Sequence, residues 1–335
     1  MANNIAIIGA GVWAQNHLTG WRAQPEANIT WVVRSTDAAA RETAARWGVA
    51  NASADWRAVV ARDDIDIVDI LLPHDMHADV ACAALGHGKH VVLEKPLAVT
   101  LKDAHRIAAA ARASGRKVMV SENWIYSTLV QKAKAVIDAG EIGTPYLIRT
   151  TMDMDVRGGF KGLHWRHDAA RMGGGALMDG GTHCISAARY LLGEVREVAA
   201  FTASNVFDAI APMEDTAQVL MRFESGAMGT VSVAWGAQVE RPRTGIVIMG
   251  PKGTIEFDTH VRNFYLSRNQ QKTEQFDMQA SRGFVEQMRH FMECLADDQT
   301  PITSPDEQIG SLKVVLGAYR SAATGQLIRM TDLID

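Results

Sequence analysis

The tripeptide Glu94-Lys95-Pro96 places a lysine between an acid and a proline, directly after an apolar run at residues 91–93. Most lysines at strand ends are solvated surface groups. A lysine fixed there can also donate to an alcohol oxygen and stabilise the negative charge that develops on it. We therefore expect Lys95 to act in chemistry if other motifs supply a cofactor and a base.

A second candidate is the pair Asp179 and His183, which lie four residues apart after the glycine-rich run at residues 173–175. This spacing puts both side chains on one face of a helical turn. A carboxylate beside an imidazole raises its basicity and fixes its orientation. The glycines at the helix start and the apolar surroundings argue against an incidental surface pair, so we predict that the two residues act together.

The motif Gly9-x-Gly11-x-x-Ala14 follows an apolar strand pattern and precedes a helical one. A strand, a tight glycine turn and a helix form the context that a dinucleotide fingerprint requires. Gly9 permits the turn, Gly11 lets the backbone approach a pyrophosphate, and Ala14 keeps helix and strand close. Backbone amides at the helix start, including those of Val12 and Trp13, then face the phosphates.

The second strand pattern, at residues 29–33, ends in Arg34-Ser35-Thr36. An acid at this position accepts from the ribose hydroxyls of NAD, whereas an arginine and two hydroxyls suit a 2′-phosphate. The sequence therefore predicts NADP(H) as the preferred cofactor, with NAD(H) as the alternative. Asp37 is the competing residue, because a shifted loop would present its carboxylate to the ribose.

The elements that position these residues alternate along the first part of the chain. Five strand patterns are separated by helical patterns, among them a short helix predicted at 51–61; the strands are expected at 5–8, 29–33, 65–72, 89–93 and 118–120. This alternation predicts an α/β fold with a doubly wound parallel sheet. Ligands bind such sheets at the carboxyl ends of the strands. The predicted cofactor wall at these ends includes Leu72, Pro73 and His77.

After residue 145, strand patterns follow one another at 146–154, 195–207, 214–224, 226–238, 243–250 and 253–258. Short turns between them predict a mostly antiparallel sheet with an open face. Helices at 282–296 and 306–324 are expected to close this domain. We place a dinucleotide-binding domain at 1–122 and a substrate-binding and oligomerisation domain at 123–335.

Composition limits the classes of function. The 335 residues are 47% hydrophobic and 21% charged with a net charge of -4, which fits a two-domain globular protein without nucleic-acid or membrane partners. The start of the chain shows no leader pattern, and three scattered cysteines indicate a reducing, cytoplasmic location. Cys184 is assigned to packing, and His74 with His77 to a helix start rather than to a metal site.

Together these motifs resemble the glucose-fructose oxidoreductase / inositol dehydrogenase (Gfo/Idh/MocA) family. They follow the family's order and spacing over residues 4–330. The matching residues are Gly9, Gly11 and Ala14, Pro73 and His77, Glu94-Lys95-Pro96, Trp165-Arg166, the run at 173–177, and Asp179 with His183. The resemblance implies a Rossmann domain, an α/β domain whose open sheet forms a homodimer or homotetramer, and NAD(P)-dependent oxidation or reduction of a sugar, cyclitol or related polyol.

The resemblance also implies that Lys95, before a cis proline, contacts the reacting hydroxyl, and that Asp179 and His183 complete the site. In our proposed mechanism His183 takes the hydroxyl proton while Lys95 donates to the oxygen, or the two exchange roles. Glu94 orients Lys95 or binds the nicotinamide ribose. Further expected contacts are Trp165 and Arg166 with cofactor, and Trp124, Tyr126, Arg157, His164 and again Arg166 with substrate. One departure from the family, Gly180-Gly181 after the acid, predicts a wider pocket or a looser helix.

Two other functions remain open at this point. A tightly bound cofactor would allow transient oxidation of a glycoside, as in family members that cleave glycosidic bonds by oxidation, elimination and reduction. Alternatively, the chain is a non-catalytic regulator that binds dinucleotide as a signal. The regulator is disfavoured because the chain keeps both Lys95 and His183.

Overall fold

A computed structural model describes residues 3–11, 13–160, 164–259, 263–268, 271–277 and 281–333; at 159, 160, 164 and 272–277 it describes the backbone alone. The strands are β1 Asn3–Ile8, β2 Ala27–Val33, β3 Asn51–Ser53, β4 Ile67–Ile70, β5 His90–Glu94, β6 Val118–Ser121, β7 Leu147–Asp153, β8 Val195–Ala203, β9 Thr216–Phe223, β10 Met228–Ala234, β11 Gly245–Gly250, β12 Gly253–Asp258, β13 Asn263–Arg268, β14 Gln271–Asp277 and β15 Ile328–Arg329. The helices are α1 Ala14–Arg22, α2 Asp37–Trp47, α3 Trp56–Val60, α4 His77–Gly86, α5 Leu101–Ser114, α6 Asn123–Tyr126, α7 Thr128–Asp138, α8 Ala169–Met172, α9 Thr182–Leu192, α10 Phe284–Ala296 and α11 Pro305–Thr324.

The first compact unit comprises residues 1–123 and 283–309. Its six strands form a parallel sheet in the order β3-β2-β1-β4-β5-β6. Residues 5–8 and 91–93 are all apolar and fully buried, as expected for strands covered on both faces. The strand order reverses between β1 and β4, so the ligand crevice of such a sheet lies at their carboxyl ends.

One local prediction in this unit was wrong. Residues 51–61 do not form one helix, because Asn51–Ser53 pairs with β2 and extends the sheet by an edge strand. Helix α3 begins after Asp55, whose side chain caps it by accepting from the amides of Arg57 and Ala58. The polar residues at the edge gave no strand pattern in the sequence.

The segment at 283–309 belongs to the first unit, although the sequence placed it in the C-terminal domain. Phe284 and Phe291 lie on one face of α10 and contact the edges of Trp13 and Trp21, with ring centroids 5.8 and 6.3 Å apart. Beyond this helix, the Thr303 hydroxyl donates to the carbonyl oxygen of Val120 at 2.7 Å. The aromatic face of α10 therefore covers α1.

The second unit comprises residues 124–282 and 310–335. Its described strands form a sheet in the order β14-β13-β12-β11-β7-β10-β9-β8-β15, antiparallel except for the β7–β10 pair. Along β9, buried and exposed residues alternate, which shows one covered and one open face. Helix α9 contacts β7 and β10 on the covered face. The predicted α/β fold, with a parallel and a mostly antiparallel sheet, is confirmed.

Candidate functional site

The glycine turn after β1 has the geometry of a phosphate-binding turn. Gly9 has φ +91°, and a Cβ there would lie 2.3 Å from the carbonyl oxygen of Leu71, so only glycine fits. Among the described residues, a Cβ at Gly11 would meet only the Gly9 oxygen, at 3.8 Å. The described part of the chain therefore leaves space over Gly11, as the close approach of a pyrophosphate requires. Ala14 is fully buried at the start of α1, and Val12 lies outside the described residues.

The segment after β2 lies beside this turn. Gly11, Arg34, Thr43 and Arg46 are among the residues that line a cavity of about 420 Å³. The guanidinium of Arg34 donates to the Thr43 hydroxyl at 3.0 Å.

Two neighbouring residues of this segment form structural hydrogen bonds: Thr36 caps α2, and Asp37 binds the chain just after β3. Thr36 is the N-cap of α2, where its hydroxyl accepts from the Ala39 amide at 3.2 Å. The carboxylate of Asp37 accepts from the amide of Ala54 at 2.8 Å. Ser35, between Arg34 and Thr36, is exposed.

His77 connects the ends of two neighbouring strands. Its ring is fully buried, with Nδ1 2.9 Å from the carbonyl oxygen of Pro96 and Nε2 3.0 Å from that of Leu72. Burial lowers the pKa of His77, although both carbonyl contacts oppose this effect. His77 thus holds the chain at Leu72-Pro73 against the Lys95-Pro96 segment, where the peptide bond is cis.

Glu94 is held by Trp13, by the Lys95 amide and by His17, of which the sequence reasoning missed only His17. Its Oε1 atom accepts from the indole nitrogen of Trp13 and lies 2.8 Å from Nε2 of His17, and its Oε2 atom accepts from the Lys95 amide at 3.0 Å. The other ring nitrogen of His17 lies 3.0 Å from both carboxylate oxygens of Asp69. His17 lies three positions after Ala14, but its spacing gave no signal of a partner at residue 69 or 94.

The second unit contains the predicted pair Asp179 and His183. Asp179 lies in a π-helical turn, Leu177–Gly181, that continues into α9, which carries His183. Both side chains are buried, at 9% and 8% exposure. Single-turn π segments inside helices are frequent at functional sites.

Aromatic and charged groups surround this pair. The ring of His183 stacks on that of Trp124, with centroids 5.2 Å apart and an interplanar angle of 11°. The carboxylate of Asp179 accepts from the guanidinium of Arg166, whose carbon lies 4.9 Å from the centre of the Trp165 ring. The predicted residues Trp124, Trp165, Arg166, Asp179 and His183 therefore belong to one compact unit. Tyr126, also in this unit, is 5% exposed.

The π-helical turn is anchored by Glu214 and Tyr319, which the sequence reasoning also missed. Glu214 accepts from the amides of Gly175 and Leu177 at 3.0 and 2.8 Å. The Tyr319 hydroxyl donates to Glu214 at 2.8 Å and accepts from the Met178 amide at 3.1 Å. Burial raises the pKa of Glu214, against its hydrogen bonds, and burial with the nearby Glu214 raises that of Tyr319.

The glycines after Asp179 do not create free space. A Cβ at Gly180 would lie 2.6 Å from Sδ of Met152 and 3.2 Å from Nε1 of Trp235. A Cβ at Gly181 would lie 2.7 Å from a methyl group of Leu177. The expectation of a wider pocket therefore fails, because the sheet and the turn itself fill the space, whereas the helix does depart from α geometry here, as the π-helical turn Leu177–Gly181.

Two further expected substrate contacts lie in the segment after β7, and the structure describes the side chain of Arg157 but not that of His164. Arg157 forms a two-point ion pair with Asp155, at 2.8 and 2.5 Å. This hydrogen bonding lowers the pKa of Asp155 to about 2. The side chain of His164 lies outside the described part of the structure.

Similarity to known sequences agrees with this geometry. The profile of an "Oxidoreductase family, NAD-binding Rossmann fold" matches residues 3–122, and that of the "GFO/IDH/MocA C-terminal domain" matches 130–256. Levoglucosan dehydrogenase of Pseudarthrobacter phenanthrenivorans is 30% identical over 78% of this chain and 74% of its own. D-apiose dehydrogenase of Paraburkholderia graminis is 28% identical over 98% of this chain and 90% of its own. Scyllo-inositol 2-dehydrogenase (NAD(+)) of Bacillus subtilis is 26% identical over 97% of this chain and 95% of its own.

A solved structure shows the same fold. The crystal structure of an NAD binding oxidoreductase from Klebsiella pneumoniae superposes with a TM-score of 0.89 at 25% identity, and the match covers both chains in full. In the described part of this chain, every helix is too short or too polar to cross a membrane. The resemblance noted from the motifs is confirmed: the chain belongs to the Gfo/Idh/MocA family and is an NAD(P)-dependent oxidoreductase.

Proposed function

We propose that this enzyme transfers a hydride between NAD(P) and a secondary hydroxyl or carbonyl group of a sugar, cyclitol or related polyol. The observation that carries the proposal is the buried imidazole of His183, stacked on Trp124 beside the Asp179–Arg166 ion pair. Aromatic faces with a few fixed polar groups suit a polyol. Relatives that act on apiose, levoglucosan and an inositol support the substrate class.

The first unit holds the dinucleotide in this proposal. The open turn at Gly11 and the start of α1 bind the pyrophosphate, and the chain at Pro73 and His77 forms a wall of the site. A bound nicotinamide supplies the acceptor or donor of the hydride. Trp165 and Arg166, expected from the sequence to contact the cofactor, keep that assignment as part of the proposal.

Loss of a hydride from an alcohol must be matched by loss of the hydroxyl proton. We assign the proton to His183, whose ring plane is set by Trp124, and we assign to Lys95 the hydrogen bond that stabilises the oxygen. Asp179, paired with Arg166, fixes the substrate side of the site. Trp124, Tyr126, Arg157 and His164 remain the proposed further contacts.

The two roles are separable by experiment. Lys95→Met is expected to abolish turnover while cofactor binding remains. If His183 is the base, His183→Gln lowers kcat strongly, because an amide side chain cannot take the proton. A Lys95→Met variant with wild-type kcat contradicts the assignment, and a wild-type kcat in His183→Gln assigns the base role to Lys95.

Substrate class is tested with a panel of inositols, aldoses, ketoses and glycosides, each incubated with NAD⁺ and NADP⁺ and followed by the absorbance of reduced nicotinamide. A polyol dehydrogenase accumulates one reduced cofactor per substrate oxidised. Cleavage of a glycoside without accumulation supports the transient-oxidation alternative and overturns the dehydrogenase.

We also propose NADP(H) as the preferred cofactor. Arg34 and Arg46 bring two positive charges to the cavity beside Gly11, against the single carboxylate of Glu42, which suits a 2′-phosphate. Asp37 instead accepts from a backbone amide.

Arg34→Ala is expected to lower kcat/KM for NADP⁺ by about tenfold or more and that for NAD⁺ by less than about threefold, since one charged contact is worth about 1.4 kcal/mol or more. Arg41→Ala is the matched control, because Arg41 is an exposed arginine on α2, whereas Arg34 precedes that helix and lines the cavity. A wild-type enzyme that prefers NAD⁺ contradicts the proposal.

The open face of the second sheet is the proposed contact between copies of the chain. Three exposed apolar side chains, Phe201, Leu220 and Met228, lie on neighbouring strands β8, β9 and β10. Such a patch is typical of an interface. We further propose a cytoplasmic location, supported by three cysteines of which none forms a disulfide.

A further inference from the structure

His17, Asp69 and Glu94 form a buried charged cluster next to Lys95 in the first unit. His17, on α1, is fully buried, and so is Asp69 on β4. The imidazole lies between Asp69 and Glu94, and Asp69 also accepts from the indole nitrogen of Trp21 at 2.7 Å. The cluster thus joins one helix to the carboxyl-terminal parts of two neighbouring strands.

The geometry defines the protonation state of His17. A neutral imidazole donates from one nitrogen only, so its other lone pair would face a carboxylate. Both nitrogens of His17 face carboxylates, at 3.0 and 2.8 Å, and both are satisfied only in the imidazolium form. Burial alone would lower the pKa of His17, but Asp69 and Glu94 outweigh it and raise the pKa to about 10.

Glu94 transmits this arrangement to Lys95. Burial alone would raise the pKa of Glu94, but His17 and Lys95 hold it below its ordinary value, so the carboxylate stays charged. Its Oε1 atom accepts hydrogen bonds from His17 and Trp13, and its Oε2 atom accepts one from the Lys95 amide. Because both oxygens of Glu94 are hydrogen-bonded, its carboxylate is fixed in place and restrains the backbone at Lys95.

We infer that His17 is a positioning residue for Lys95, acting through Glu94. The inference rests on the proposed role of Lys95 in hydride transfer and assigns Glu94 to orienting Lys95 rather than to the ribose. Without the imidazolium, the two buried carboxylates lose the cation that lies between them, and the Oε1 atom of Glu94 keeps Trp13 but loses His17. Asp69 contacts His17, so it acts on Glu94 through that imidazole.

The test compares His17→Gln, Asp69→Asn and a control, His290→Gln. His290 is a half-buried histidine on α10 whose ring accepts from the Ile302 amide at 3.1 Å, outside the cluster. We expect His17→Gln to lower kcat by about tenfold or more while KM for the cofactor changes by less than about threefold. Asp69→Asn is expected to have a smaller effect on kcat, and His290→Gln none.

A readout independent of activity is the hydrogen exchange of the Lys95 amide, measured by NMR. Its exchange should accelerate by about tenfold or more in His17→Gln, because the hydrogen bond to Glu94 opens more often. If wild-type enzyme oxidises no polyol, the proposed function fails, whereas faster exchange still supports the positioning role. Unchanged kcat with unchanged exchange in a folded His17→Gln protein overturns the inference.

A last measurement needs no variant. In wild-type protein at pH 8, nitrogen NMR should show both ring nitrogens of His17 protonated. One unprotonated ring nitrogen contradicts the imidazolium and overturns the inference even if His17→Gln does not fold.

Discussion

Replacement of Tyr319 by phenylalanine removes one hydroxyl group from the anchor of the π-helical turn. That hydroxyl donates to the Glu214 carboxylate at 2.8 Å and accepts from the Met178 amide at 3.1 Å. A hydrogen bond to a charged group contributes about 1.5–3 kcal/mol, and an amide left without an acceptor costs about 1–3 kcal/mol. Because these contributions are not additive, we expect Tyr319→Phe to lower the free energy of unfolding by about 2–4 kcal/mol.

The assay is urea unfolding followed by tryptophan fluorescence, with cofactor titration as a second measurement. Cofactor affinity should not change, because the glycine turn and the 420 Å³ cavity belong to the first unit. Tyr190→Phe is the matched control: its hydroxyl accepts from Gln131 at 3.1 Å near solvent, so its loss should cost less than about 1 kcal/mol. Equal effects of the two substitutions would refute the anchoring role of Tyr319.

The remaining predictions concern His17, Gly180 and the open sheet face. The pKa of His17 is raised from 6.5 to about 10 in the folded state. Its contribution to the free energy of unfolding is therefore full below about pH 6.5 and is lost as the pH rises through 10. Urea unfolding from pH 6 to 10 should show this decline in the wild-type protein and not in His17→Gln. Gly180→Ala should destabilise by about 1–3 kcal/mol through overpacking against Met152, whereas Gly86→Ala, with open space around it, should be neutral or stabilising in thermal unfolding. Leu220→Arg should shift the enzyme toward smaller species in analytical ultracentrifugation, and Ile302→Arg, an exposed position off the sheet, should not; an unchanged distribution contradicts the proposed interface.

Local patterns in the sequence were sufficient for the features that depend on neighbouring residues. The glycine turn at Gly9 and Gly11 follows from residue type and from the strand before it. The parallel sheet follows from the alternation of strand and helix patterns. Each of these features depends on a few consecutive residues, so the chain encodes it locally.

Long-range contacts escaped prediction because no local pattern carries them. His17 meets Asp69 and Glu94 across 52 and 77 residues, and Glu214 meets Tyr319 across 105. In the sequence, each of these residues taken alone is indistinguishable from an ordinary polar residue.

The sequence by itself determined the family, the two kinds of sheet and the residue types expected at the site. Only the tertiary structure decided that segment 283–309 packs on the first unit, that Gly180 is filled by Met152 and Trp235, and that a buried imidazolium lies behind Lys95. The physical reason is that burial and charge compensation depend on which distant side chains meet, and folding alone brings them together.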